Sequence, residues 1–257
     1  MENKYSFLKE FNGRKNLEKS YGDNALLLYA LQLRFDIEDI DSVAADALTD
    51  GADDKKCDLI YVDRESGIAV VAQAYNRPNA KLEDLAKENK ASDLNAAAAW
   101  VFTEDISQVP NIIKDAVLDL QDAIKEQAIS TVYFWYVHNL DEKRNPKIES
   151  EMVTLQAQVQ AAVNNKYPDE ELKISTLEVG LNTIQKWFDS STKRISIEDN
   201  FVVECKNGFE LDSGSWRAYV TAVSGKWLRR IYLDKGDDLF SGNPRSFLGK
   251  GKRKDSI

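Results

Sequence analysis

Apolar residues along this chain change their spacing from block to block, and the spacing predicts the order of elements. Residues 5–45 read as helical. Leu26, Leu27, Tyr29, Ala30, Leu31, Leu33 and Phe35 form a dense apolar face there, after Gly22-Asp23-Asn24, where Asp23 or Asn24 can cap. Thr49-Asp50-Gly51-Ala52-Asp53-Asp54 reads as a turn or loop from its Asp and Gly content. Two apolar runs follow, Cys57 to Asp63 and Ile68 to Tyr75, separated by Arg64-Glu65-Ser66-Gly67, and they predict a β-hairpin. Strand side chains alternate between faces. If Val62 pairs with Ala69, Ile60 lies across from Val71 and Asp58 across from Gln73.

After a polar connection at 76–88, a helix is expected from about Asn89 through Trp100, rich in alanine and able to lie close on a sheet. Ile112, Ile113, Ala116, Val117, Leu120 and Ile124 predict a second helix from about Val109 to Lys125. The run Ile129 to Val137 is the strongest buried strand. A helix at 148–164 and a strand at Leu172–Val179 follow, the strand joining the same sheet through a crossover. Beyond Ile195 short strands are expected at Phe201–Cys205, Phe209–Leu211 and Trp216–Val223. The fold class is therefore α/β, a mixed sheet flanked by helices with a smaller α+β region after it. The domains expected are 1–190 and 191–257.

Composition adds bounds rather than detail. With 257 residues, 30% charged and 43% hydrophobic, the chain can bury a full core and hold two domains. No apolar stretch is long enough to span a bilayer, and the N-terminus lacks the basic-then-apolar form of a signal peptide. A cytoplasmic protein without a membrane partner is expected. Cys57 and Cys205 form no CxxC pair and read as buried free thiols. The net charge of −9 argues against a simple electrostatic binder of nucleic acid. Residues 1–140 carry a net −10 and residues 141–257 a net +1, with a basic end containing Arg245, Lys250, Lys252, Arg253 and Lys254.

The candidate chemistry sits at the open end of the hairpin. A carboxylate at Asp58 beside a carboxamide at Gln73, with Asp50 upstream, is a way to hold a hard divalent cation, Mg²⁺ or Mn²⁺, for phosphodiester hydrolysis. Asp53 and Asp54 read as a solvated acidic loop, and the ligand series of an EF-hand is missing. His138, the single histidine, ends the strongest strand and reads as a hydrogen-bonded strand-end residue rather than a base. No P-loop, GxGxxG or zinc-spaced Cys/His motif is present. Trp135, Trp187, Trp216 and Trp227 lie among apolar neighbours and are expected in the core.

Three stretches also carry a family resemblance: Thr49 to Tyr75; Asn89-Lys90-Ala91-Ser92-Asp93-Leu94-Asn95 with the alanines to Trp100; and Leu239-Phe240-Ser241-Gly242-Asn243-Pro244-Arg245-Ser246-Phe247-Leu248-Gly249. In this order they resemble the N-terminal part of AIPR proteins, the abortive-infection phage-resistance family. The family is usually longer, so a truncated or shortened member is expected. The resemblance implies a bacterial antiviral role and an N-terminal domain with a PD-(D/E)XK nuclease-like core, similar to restriction endonucleases. In that core a lysine lies two positions beyond the second ligand, where this chain has Tyr75. Lys90, at the start of the next helix, is the expected substitute, with Asp93 one turn away. The implied partners are nucleic acid, DNA or RNA, and a phage component, with a homo-oligomer left open. A catalytically degenerate nuclease fold that senses nucleic acid or phage protein, and an assembly module, are the rival functions.

Overall fold

The structure, a computed structural model, describes residues 4–49, 51, 54–81, 83–103, 105–142, 144–192, 199, 201–203, 206–214, 216–236 and 239. They form two compact units, one built on residues up to Asp189 and one on Ser190–Ser246.

The first unit is a mixed four-stranded sheet with helices on both faces. Its strands are β1 (Leu59–Asp63), β2 (Ile68–Tyr75), β3 (Thr131–His138) and β4 (Lys173–Val179). They lie side by side in that order, β1 antiparallel to β2 and the remaining pairs parallel. Parallel neighbours need long crossovers. Here α5 (Glu88–Val101) and α6 (Asn111–Lys125) connect β2 to β3, and α7 (Pro146–Lys166) connects β3 to β4.

Alternation along each strand divides the core. Ile60, Ala69, Val71, Val132, Phe134 and Ile174 pack with α5, α6 and α7. Leu59, Val70, Ala72, Trp135, Val137 and Val179 pack on the other side with α1 (Phe7–Gly13), α2 (Lys15–Tyr21), α3 (Ala25–Phe35), α4 (Ile40–Ala47) and α8 (Leu181–Thr192). Ala25 to Leu31 are all buried. The helix α3 is thus covered all round rather than on the single face its sequence suggested. Asn24 occupies its N-cap position without a side-chain capping bond.

The hairpin turn explains the register. The Asp63 carboxylate accepts from the backbone N–H groups of Glu65 and Ser66, both at 3.0 Å. Gly67 sits at φ 70°, a left-handed conformation that glycine adopts without steric cost. These locks set Val62 opposite Ala69 and Ile60 opposite Val71, as the alternation predicted.

The second unit contains β5 (Lys206–Asp212) antiparallel to β6 (Arg217–Ala222), then α9 (Gly225–Lys235). The Ser224 hydroxyl caps α9 by accepting from Trp227 N–H at 3.2 Å. Two expectations fail here. Residues 201–203 are not in a strand, and Trp216 is 55% exposed rather than core. Cys205 and, Leu239 apart, the stretch 239–249 lie outside the described residues. Among the described residues no helix is long and apolar enough to cross a membrane.

Candidate functional site

Asp58 lies just before β1, where the hairpin ladder runs out. Its backbone N–H donates to Ala72 C=O at 2.9 Å, and its own C=O accepts from Thr49 N–H at 3.0 Å. Thr49 is itself fixed, its hydroxyl donating to Cys57 C=O at 2.6 Å. The backbone of Asp58 is therefore held from both sides by hydrogen bonds. Two further residues upstream, Lys55 and Lys56, sit at φ 56° and 67°. Consecutive left-handed non-glycine residues are uncommon, and they form the bend that returns the chain to β1.

Continuing the hairpin register places Asp58 opposite Gln73, and the side chains meet. Gln73 Nε2 donates to Asp58 Oδ2 at 2.6 Å and to Ala74 C=O at 3.2 Å. The Ala74 N–H donates to the same Asp58 Oδ2 at 2.6 Å. Both partners of the Gln73 amide nitrogen are acceptors, which fixes the orientation of the amide. Its carbonyl oxygen Oε1 is left buried with no hydrogen-bond partner. Asp58 and Gln73 are 7% and 5% exposed. A buried, unpaired carbonyl oxygen is costly, about 1–3 kcal/mol. Here it lies next to a buried carboxylate.

That donor set fits a hard cation in kind, since carboxylate and carboxamide oxygens are what Mg²⁺ and Mn²⁺ take. It does not complete a shell. Among the described residues no group of three or more His, Cys, Asp or Glu side chains is placed to hold a metal ion. Asp50 and Asp53 lie outside the described residues. The Asp58 contacts also have a purely structural role, because its carboxylate accepts the first N–H beyond the hairpin ladder.

Lys90 is placed on the first turns of α5, the helix that packs over β2 and β3. Its Nζ is 3.5 Å from Asp93 Oδ2, one turn on, and both side chains are about a quarter to a third exposed. No hydrogen bond or ion pair joins Lys90 to Asp58 or Gln73. The structure thus brings Asp58 and Gln73 together and leaves Lys90 in a local pair.

The sheet adds residues that sequence reasoning did not single out. The parallel register puts Gln73 beside Tyr136, and Tyr136 beside Glu178, on the face covered by α5 and α7. Asp58, just before β1, and Gln73, Tyr136 and Glu178 on β2, β3 and β4 form a polar row. Burial pushes the Tyr136 phenol well above its usual range, with Tyr75, Glu178 and Asp93 adding to the rise. Its hydroxyl donates to Lys87 C=O at 3.0 Å. The Lys87 Nζ lies 5.1 Å from the centre of the Tyr75 ring. His138 is fully buried beside Tyr75 in the register. Its Nδ1 accepts from Leu140 N–H at 3.3 Å, so Nε2 carries the proton toward Glu178 Oε1 at 3.0 Å. His138 is thus engaged in hydrogen bonds at the end of its strand. The signal for Tyr136 and Glu178 was their parity within their strands, which becomes useful only once the parallel register is known.

Comparison with known proteins finds no matching family model, no matching curated protein and no matching solved structure.

Proposed function

We propose that the first unit is a divalent-cation-dependent phosphodiesterase module with a restriction-endonuclease-like core, acting on nucleic acid in phage defence. The observation that carries this reading is the buried Gln73 Oε1 with no partner, adjoining the Asp58 carboxylate. Asp58 and Gln73 would hold Mg²⁺ or Mn²⁺, with Asp50 as a further ligand. When bound, the cation supplies Lewis-acid activation of water and of the phosphate. The chain's own part is orientation. The Gln73 amide nitrogen is committed to Asp58 and Ala74, so only the amide oxygen is available, and burial keeps bulk water from competing with it. The reaction consumes one water. A P–O bond forms to the water oxygen, the bond to the leaving oxygen breaks, and that oxygen takes up a proton while the water releases one.

The setting in phage defence rests on the resemblance of residues 49–75, 89–100 and 239–249, in that order, to abortive-infection proteins. The acidic balance of the first 140 residues repels phosphate. Substrate binding is therefore coupled to the cation and is sensitive to salt. A second reading, a catalytically silent nuclease fold that senses nucleic acid, is favoured by Tyr75, which brings no charge to the site.

The test is cleavage of end-labelled DNA and RNA by the whole chain in Mn²⁺ and in chelator. The proposal expects cutting with Mn²⁺ alone and its loss in Asp58→Asn. Binding without cutting in either condition supports the sensing module instead.

A further inference from the structure

We propose that Lys87, seated on the Tyr75 ring and anchored through Tyr136, is the cation that meets the substrate phosphate, in place of Lys90. This rests on the phosphodiesterase reading above.

Placement comes first. Tyr75 is two residues beyond Gln73 on β2 and shares its face of the sheet. Tyr136 neighbours Gln73 on β3. The Tyr136 hydroxyl holds the Lys87 carbonyl at 3.0 Å, and Lys87 reaches over Tyr75, 5.1 Å from its ring centre. Backbone and ammonium of Lys87 are therefore tied to the two aromatic residues that border Gln73. Lys87 is the N-cap residue of α5 and lies outside the helix, with extended backbone at φ −82° and ψ 120°.

Charge comes second. The ammonium of Lys90 is paired with Asp93, and a neutralised pair adds little field at a phosphate. Lys87 is exposed and makes no ion pair with a described residue. An aromatic face attracts a cation through its quadrupole without cancelling the charge. Tyr75 thus orients a full positive charge at the edge of the site. Phosphoryl transfer gains most from a fixed cation placed where negative charge accumulates. Asp58 and Glu178 on this face of the sheet, with Asp93 on α5 near Tyr136, make the surroundings acidic, so the Lys87 ammonium is the natural docking point for a phosphate.

The experiment is single-turnover cleavage of a labelled oligonucleotide in Mn²⁺ by the full chain and four variants, with Mn²⁺ affinity measured on each by calorimetry. Lys87→Ala is expected to slow cleavage about 100-fold with unchanged Mn²⁺ affinity. Lys87→Arg is expected to recover much of the rate. Tyr75→Leu is expected to cost about tenfold, because the ammonium loses its seat. Lys90→Ala is expected to stay within about threefold of wild type. Lys87 is exposed, so its loss leaves the fold in place, as thermal melting checks. A cleaving wild type with Lys87→Ala equally active overturns the Lys87 assignment alone. A loss in Lys90→Ala that exceeds the loss in Lys87→Ala overturns it in favour of Lys90. A wild type that binds no Mn²⁺ and cuts nothing overturns the phosphodiesterase reading and this inference with it.

Discussion

Gln73→Glu tests the site while keeping the size and shape of the side chain. In the native protein Gln73 Nε2 donates to Asp58 Oδ2 across 2.6 Å. The substitution replaces that donor with a second carboxylate oxygen. At this distance two unit charges repel by about 6 kcal/mol with an effective dielectric of about 20. The pair avoids most of this by retaining one proton. Holding a proton at about pH 7 on a group of ordinary pKa about 4.3 costs about 3.7 kcal/mol, which caps the penalty. The sign follows from linkage. The folded pair binds a proton more tightly than the unfolded chain, so its folded pKa is raised. The variant should match wild type below about pH 4 and lose stability at about 1.4 kcal/mol per pH unit above that, until the folded pKa is passed. A divalent cation removes the repulsion without the proton. With free Mn²⁺ at about 100 times its dissociation constant, the recovery is about 2.7 kcal/mol. Urea unfolding at about pH 4.5 and about pH 7.5, in chelator or Mn²⁺, reads all of this. A variant whose stability tracks wild type across pH and ignores Mn²⁺ would falsify the placement of Asp58 and Gln73 as one cation site.

Two more predictions concern the scaffold behind the site. Glu142, 8% exposed, caps α8 by accepting from the backbone N–H groups of Asn182 and Thr183 at 3.0 and 2.6 Å and from both of their side chains. Glu142→Gln converts one acceptor into a donor facing donors, and urea unfolding should show a loss of about 2–3 kcal/mol; a loss under about 0.5 kcal/mol contradicts the cap. Burial pushes the Cys57 thiol up to about 12, so mass spectrometry after treatment with iodoacetamide at about pH 8 should find Cys57 unmodified in the native chain and modified in urea.

How far the site was readable depends on which contacts are local. The hairpin was legible because its turn residues, Asp63 and Gly67, and the alternation of Leu59–Asp63 and Ile68–Tyr75 lie within one short segment. Asp58 against Gln73 follows from that register alone. Tyr136, Glu178 and Lys87 could not be placed the same way. Their proximity to Gln73 depends on parallel pairing of β2, β3 and β4 and on the seat of α5, and parallel register leaves no turn signal in sequence. Lys90 was expected at the site because it starts the helix that packs on the sheet; its i, i+3 spacing to Asp93, equally local, is what the structure shows as an ion pair. The α8 helix passed unread although Leu181, Ile184, Trp187 and Phe188 carry helical spacing, because polar residues dilute it over a short span. The apolar triplet Phe201-Val202-Val203 suggested a strand, yet β-propensity acts only where a neighbouring strand is available, and these residues are unpaired.

Calorimetric titration of Mn²⁺ into wild type and Asp58→Asn bears most directly on the central claim, that Asp58 and the free oxygen of Gln73 form a cation site. The substitution keeps the shape of the side chain and an oxygen for the Ala74 N–H, so both proteins should melt within a few degrees of each other. The account predicts a saturable Mn²⁺ site in wild type and an affinity at least about 100-fold weaker in Asp58→Asn, because a site with so few carboxylates cannot lose one and still offset the dehydration of the ion. Equal Mn²⁺ binding by the two proteins contradicts it.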